Sequence, residues 1–223
     1  MSNVFAKATD FLTDSVNWHG DDGFPHRIAQ HLGYTTLTVA IAAAIALPLG
    51  LWIGHTGRLR GLAVAFTGSM RALPTLGVLI LMVLWRGIGL TPPITALVIL
   101  AIPPLLAGAY AGIESVDRQT IDAARAVGMN EWQVLGRVEV PLAFPVILGG
   151  IRNAVLQVVA TATIAAYIGL GGLGRYLIDG VAVRDYPQTL AGAVVVVVLA
   201  LALDGLFAAL QRLSHTHPQK EEQ

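Results

Sequence analysis

The sequence predicts an all-α, polytopic membrane protein of about five transmembrane helices, and two observations carry that prediction. The chain of 223 residues is 55% hydrophobic and only 13% charged, with a mean hydropathy of +0.67, whereas a typical soluble domain is roughly 25% charged. Its apolar residues also gather into runs of the length that crosses a bilayer, roughly 20 residues each. Lipid offers the backbone no hydrogen-bond partner, so such runs must satisfy their amides internally, as helices. Charge and cysteine narrow the reading further. Lys and Arg balance Asp and Glu at 14 each, which points neither to nucleic acid nor to an acidic solvating tail. With no cysteine, a disulfide framework, a thiol nucleophile and a thiolate metal site are excluded.

Residues 1–33 read as an interfacial segment that lacks the basic flank and apolar core of a cleavable signal peptide. Val4, Phe5, Ala8, Phe11 and Leu12 form an apolar helical stripe, and "NWHGDDGFPH" is a turn-rich connector in which Trp18 suits a headgroup-level anchor. His19, His26 and His31 lack the spacing of a compact metal site and read as solvated, so no metal is expected. The spans follow within residues 34–211. Charge-free limits place them at 35–54, at 62–85 with Arg71 inside, at 94–113, within 141–170 with Arg152 inside, and at 190–210 with Asp204 near the end. Pro48, Pro74, Pro103, Pro104 and Pro145 fit bent helices around a pathway, or plain packing kinks, where neighbours or water satisfy the freed carbonyls.

An odd number of spans puts the termini on opposite sides. With residues 115–141 inside, that side holds Arg58, Arg60, Arg118, Arg125, Arg137, Arg212 and Lys220; the other holds Lys7, Arg27, Arg86, Arg175 and Arg184. The bias is weak, and it favours an external N-terminus and a cytoplasmic tail at 212–223. That tail holds the His215 and His217 pair.

Between the third and fourth spans lies "IDAARAVGMNEWQVLGRVEVP", polar and helix-forming. Ser115 or Asp117 caps a helix through about Val127, and Gly128 suits the left-handed position that ends it. Asn130 is an N-cap with Gln133 at capping-box spacing, and Pro141 opens the next apolar run. Trp132, Leu135 and Val138 predict an apolar stripe, with Glu131, Arg137 and Glu139 on a wet side. Ala123 and Ala124 give the first helix a small-residue face. The pattern fits a helix pair that seeks a partner groove, or an amphipathic loop on lipid headgroups.

Charged residues in lipid are functional candidates by default. Arg71 pairs across a dimer or contributes to a gate, or it marks the end of an interfacial segment before a span that starts near Pro74. Arg152, beside Asn153, suits a salt bridge that anchors the loop. Asp204 faces a subunit interface or closes on an Arg such as Arg212. In "YIGLGGLGRYLIDG", Gly169, Gly171, Gly172 and Gly174 mark close backbone approach or an irregular turn, tolerated at membrane depth only against protein or water.

The spacing Asp122-Ala123-Ala124, Gly128, then Val138-x-Val140-Pro141 resembles the cytoplasmic signature of permease subunits of ATP-binding-cassette importers, Glu-Ala-Ala, three residues, Gly, nine residues, Ile-x-Leu-Pro. Asp122, Val138 and Val140 depart from it with charge or apolar character kept. The glycine segment, "SMRALPTLGVLILMVLWRGIGL" and "VEVPLAFPVILGGIRNAVLQVVATATIAAYIGLGGLG" are similar to osmoprotectant permeases, those for glycine betaine, choline, carnitine or proline, on a methionine-importer-like fold. The resemblance implies that Asp122, Ala123, Ala124, Gly128, Met129, Trp132 and Pro141 belong to coupling helices that sit on an ABC ATPase. It also implies a second permease subunit, identical or not, and an extracytoplasmic substrate-binding protein. Arg71, Pro74 and the four glycines are the candidates for pathway or gating. This chain has no catalytic residue of its own to expect: ATP and Mg belong to the ATPase, since no P-loop occurs here.

Other classes find little support. Ser69 has no histidine in a span to activate it and no His-Glu-x-x-His occurs, so a hydrolase is not indicated. An ion-coupled transporter would need intramembrane carboxylates or repeated halves, and Asp204 stands alone without an apparent repeat.

Overall fold

The computed structural model describes residues 2–70 and 72–215, so Arg71 and residues 216–223 lie outside the description, as do the side chains of the His215 and His217 pair. Among the described residues there are helices and turns and no strand. In chain order the helices are α1 (Ser2–Thr13), α2 (Phe24–Thr56), α3 (Arg60–Met70), α4 (Thr75–Arg86) and α5 (Thr91–Glu114). Then come α6 (Arg118–Ala126), α7 (Glu131–Val134), α8 (Val140–Ala165), α9 (Gly174–Ala182) and α10 (Tyr186–His215). A π-helical turn, Leu135–Glu139, joins α7 to α8 without a break.

Four helical stretches are long and apolar enough to cross a membrane, and the count reaches five if α3 and α4 form one broken span. The second apolar run is thus two helices rather than one. Pro74 is the reason: it caps α4 in extended backbone, and a proline N-terminal to a helix removes the amide that would carry an earlier helix through. A helix does start at Pro74, but with 12 residues it is too short to cross a bilayer by itself and counts as a span only together with α3. The interior prolines Pro48, Pro103, Pro104 and Pro145 are carried inside α2, α5 and α8. The first span also begins earlier than its apolar run, at Phe24.

The chain forms two compact units, and α2, α5, α8 and α10 each contribute to both. The first comprises Met1–Ile41, Leu73–Ala101 and Val155–Leu203. Within it Leu79 and Met82 of α4 pack with Ala96 and Leu97 of α5 and with Ala162, Ala165 and Leu170. A second cluster sets Phe24, Leu173 and Tyr176 against Phe11 and Leu12 of α1, so the amphipathic helix expected at the N-terminus is docked on protein at its C-terminal half, while Phe5 of the same stripe stays exposed. Trp18 is anchored there too: its indole N–H donates to the Leu12 carbonyl at 2.7 Å, and its ring lies 5.4 Å from that of Phe24.

The second unit comprises the described residues within Ala42–Ala72, Ile102–Ala154 and Asp204–Gln223. Its helices approach through small residues. A Cβ on Gly108 of α5 would lie 2.5 Å from the Cα of Gly150 on α8, and one on Gly50 of α2 would lie 2.6 Å from the Ala109 Cβ. Ile113, Val116, Ala143 and Ile147 fill the space beside that crossing. Close packing of this kind replaces the hydrophobic drive that lipid removes. Arg152 is tied off in the same unit. Its Nε and Nη2 each reach Asp204 Oδ1 at 2.7 Å, and its Nη1 donates to Gln211 Oε1 at 3.1 Å. The Arg152 bridge therefore runs to α10 and not to the loop, and the partner of Asp204 is Arg152 rather than Arg212; two opposite charges at helix depth find each other because both are costly unpaired.

Candidate functional site

The loop between α5 and α8 follows its sequence signals closely. Asp117 caps α6, its carboxylate accepting from the Gln119 amide at 3.3 Å. The helix closes at Val127, and Gly128 takes φ +89°, which no side chain favours. The Gly128 amide donates to the Arg125 carbonyl at 2.9 Å and the Met129 amide to the Ala124 carbonyl at 3.2 Å, which satisfies the end of α6. Asn130 then opens α7 with a full capping box: its side chain accepts from the Gln133 amide at 3.0 Å, and Gln133 Oε1 accepts from the Asn130 amide at 2.9 Å. Each bond occupies a group that the helix ends would otherwise leave unpaired.

The second helix runs on into the apolar run that Pro141 opens. Pro141 does not open a new helix; it sits inside a helical stretch that runs from Glu131 to Ile168. A proline in a regular α-helix lacks the amide for the carbonyl four residues back and crowds it. Here the preceding turn is π-helical, with the Val140 amide bonding back to the Leu135 carbonyl, so the register slips just before the proline. α7 and α8 thus share one continuous helical backbone.

The faces of this helix differ from the expected stripe. Val134 is fully buried, and Trp132 stands 82% exposed beside Val127 at 78%. Glu139, expected on the wet side, is 2% exposed, because it meets His55 from the last turn of α2: His55 Nδ1 lies 2.6 Å from Glu139 Oε2. His55 Nε2 lies 3.1 Å from Glu131 Oε2. Glu131 in turn accepts from Arg125 Nε and Nη2, each at 3.0 Å, and Arg125 Nη1 stands 3.5 Å from Asp122. The Glu131 hydrogen bond holds the Arg125 guanidinium above its ordinary pKa. Of the residues named for coupling, Ala124 is buried in the loop's seat, Met129 is half-buried, and Asp122, Ala123, Gly128, Trp132 and Pro141 are exposed. The exposed set and Val127 are apolar apart from Asp122, which pairs with Arg125. Trp52 and Trp132, far apart in sequence, line one cavity of about 530 Å³ with Pro48, Leu51, His55 and Leu135.

The glycine segment forms a second site, in the first unit. Gly169 and Gly172 take φ of +92° and +83°, and the turn is held by Gln30, whose Oε1 accepts from the Gly172 amide at 3.0 Å and from Arg27 Nη1 at 2.9 Å. A Cβ on Gly171 would strike Gln30, and one on Gly174 would strike the Thr163 carbonyl. His31, expected in solvent, is fully buried against this turn with Nε2 3.0 Å from the Val159 carbonyl, while its Nδ1 has no partner among the described residues. Tyr176 donates to the Asp22 carbonyl, and burial pushes its hydroxyl pKa up. Pro74 lies in this unit at the start of α4, whose Leu79 and Met82 pack on the α8 residues that precede the turn. Gln30 and His31 carried no motif, and only their proximity to the apolar run hinted that they would be buried.

Comparison with known proteins bears on both sites. Residues 46–215 match the family described as binding-protein-dependent transport system inner membrane component. The chain is 31% identical over 187 residues to a glycine betaine/carnitine/choline transport system permease protein of Bacillus subtilis, covering 84% of this chain and 86% of that protein. It is 36% identical over 187 residues to an osmoprotectant import permease protein of Salmonella typhimurium, covering 82% and 87%. Among solved structures, an inward-facing form of the MetNI methionine ABC transporter superposes with a TM-score of 0.76 at 19% identity, covering 86% of this chain and 95% of that one. Fold and loop together define an all-helical, multi-pass transport subunit of a membrane. The chain belongs to the binding-protein-dependent transport system inner membrane component family.

Proposed function

We propose that this chain is the translocation subunit of an ATP-driven importer for osmoprotectants such as glycine betaine, choline, carnitine or proline. It works beside a second permease subunit, receives solute from an extracytoplasmic binding protein, and is driven by ABC ATPase subunits that bind ATP and Mg. The observation that carries the reading is the loop: a capped α6, a left-handed Gly128 and a boxed α7 continuous with α8 make a stiff lever, whereas a flexible loop would absorb movement. The naming of the Bacillus and Salmonella relatives supports the solute class. In this reading the loop and residues 212–223 are cytoplasmic and residues 1–33 lie outside. Asp122, Ala123, Ala124, Gly128, Met129, Trp132 and Pro141 transmit ATPase closure, and Pro74 with the Gly169 to Gly174 turn belongs to the pathway; Arg71 is assigned to the pathway on sequence grounds. Solute selectivity resides mainly in the binding protein. Asp204, neutralised by Arg152, gives an ion-coupled mechanism no free carboxylate.

Uptake of labelled glycine betaine after a salt upshift, with methionine as comparator, tests this in cells that carry the complete operon. Wild type and Gly128→Asp are compared at matched membrane abundance. A Cβ at Gly128 meets nothing within 4 Å, so the substitution acts through the left-handed backbone, at most about 1–2 kcal/mol because Asp adopts that region more readily than most side chains, and chiefly through a charge on the docking surface. Betaine uptake in the wild type that is lost in Gly128→Asp is the expected result. Methionine uptake in its place overturns the solute class, and full betaine uptake by Gly128→Asp overturns the lever.

A further inference from the structure

Two carboxamides stand exposed near the middle of a helix long enough to cross the membrane. Asn153, Gln157, Ala160, Ile164 and Tyr167 recur every three or four residues along α8 and the turn after it, and all of them are exposed, so they share one face. Pro141 and Ile168 bound the apolar part of this helical stretch. At a rise of about 1.5 Å per residue, Gln157 lies about 24 Å from Pro141 and about 17 Å from Ile168, near the centre of a hydrocarbon layer roughly 30 Å thick. The Asn153 side chain makes no hydrogen bond among the described residues. Gln157 makes one: its Nε2 donates to the Leu100 carbonyl at 2.8 Å. That is the carbonyl which Pro104, four residues on in α5, has no amide to satisfy. The bond fixes the orientation of the carboxamide. With Nε2 committed to Leu100, Oε1 accepts from no group among the described residues.

We infer that this face of α8 lines the solute pathway, with Asn153 and Gln157 as neutral, water-exposed dipoles past which a small quaternary ammonium solute moves. The inference rests on the reading of this chain as a translocation subunit, and it names residues of that path. Its physical basis is the cost of an unpaired amide in lipid, which offers no hydrogen-bond partner. A bare carboxamide oxygen and a whole second carboxamide at that depth require water or a polar group against them. α10 shows the alternative in the same chain. Its exposed residues include Val194, Val197, Val198 and Leu201, side chains with nothing to pair and suited to lipid.

Close packing against another helix does not suit the face. The tight crossing of α5 with α8 is made by glycines, Gly108 and Gly150, whereas this face presents Gln157, Ile164 and Tyr167, whose length holds a neighbouring backbone away. Its chemistry suits weak, passing contact. Arg152, beside Asn153 in sequence, is neutralised by Asp204, so the face offers dipoles without net charge. An Asn153 N–H can donate to a solute carboxylate, and the amide oxygens can meet the positive methyl groups of an onium. A cage of aromatic faces would hold the same cation tightly, but a path must release what it receives.

The chain has no cysteine, so single cysteines placed in it report on water directly. Asn153→Cys, Gln157→Cys and Ala160→Cys are compared with Val198→Cys and Leu201→Cys in the complete transporter, in opened membranes that present both faces to the reagent, with and without ATP. The probe is a methanethiosulfonate that carries a trimethylammonium group; it forms a disulfide with a thiolate and releases methanesulfinate, and the peptide masses of this chain read the labelling. Asn153→Cys and Ala160→Cys are expected to react at least about tenfold faster than the two α10 variants, because burial in lipid raises a thiol's pKa by more than one unit and only the thiolate reacts. Ala160→Cys breaks no hydrogen bond, so the test stands even where loss of the Leu100 bond unfolds Gln157→Cys. In proteoliposomes, labelling is expected to lower the betaine uptake of Ala160→Cys relative to the same variant unlabelled. If Asn153→Cys and Ala160→Cys label as slowly as Val198→Cys, with and without ATP, the inference is overturned, whether lipid or another subunit covers the face. Rapid labelling in a transporter that takes up no betaine leaves the water-exposed face standing and sinks the solute reading instead.

Discussion

Replacing Gly150 by alanine tests whether the helices of the second unit are held by backbone approach. Two effects oppose each other. Alanine is the better helix former by about 1 kcal/mol, so a glycine inside an uncrowded helix should gain stability on substitution. At Gly150, however, the new Cβ would stand 2.7 Å from the Gly108 Cα and 3.1 Å from the Pro104 carbonyl oxygen. Carbon atoms rest at about 3.5–4.0 Å, so α5 and α8 must part by about 1 Å at the crossing, and both obstacles are backbone that no rotamer change can move aside. Overpacking of this size costs about 1–3 kcal/mol, which outweighs the propensity gain over most of its range and leaves a net loss of up to about 2 kcal/mol. Gly205 is the internal control, because a Cβ there meets nothing within 4 Å. Thermal unfolding midpoints of the purified protein in one detergent should fall for Gly150→Ala and Gly108→Ala and stay level or rise for Gly205→Ala. Because the two glycines share one contact, Gly108→Ala/Gly150→Ala should differ from the sum of the singles. A Gly150→Ala midpoint that rises with that of Gly205→Ala would refute the close-approach argument.

Asp204→Ala leaves Arg152 unpaired at membrane depth and should reduce membrane abundance by immunoblot more than the double change Arg152→Leu/Asp204→Leu, since removing both charges is milder than stranding one; equal abundance in the two would show that the pair is incidental. Asn130→Ala removes one half of the capping box directly and should cost about 0.5–2 kcal/mol of local stability. Amide exchange at Gln133 and Val134 should then quicken several-fold while that at Ala162 is unchanged, whereas unchanged protection at Gln133 would place the helix start elsewhere.

How much of this was legible beforehand depended on whether the signal was local. The caps at Asp117 and Asn130 and the turn at Gly128 were readable because each is decided within four residues by backbone amides and one side chain. The loop's faces were not. Periodicity along residues 131–139 assigns Glu139 to the wet side, but the helix slips register through a π turn, and a partner 84 positions away, His55, was needed to bury it. No spacing rule announces such a pair. His31 was misread for the same reason: its burial is decided by a glycine turn across a sequence separation of more than a hundred residues. The crossing of α5 with α8 did have a sequence trace, since Gly108 and Gly112 stand four apart on one helix face, the small-residue spacing that lets membrane helices approach. The spacing names a face but not the helix that will meet it. That distinction runs through the whole chain: the sequence states what each helix offers, and the structure decides which offers are taken. Val127 at the end of α6 and Trp132 on α7 are among the apolar offers left open, and the Asp122-to-Glu139 chain of contacts holds those two helices together. Held in this way and bare on its apolar side, the loop has the form that the proposed ATPase-coupling role requires of it.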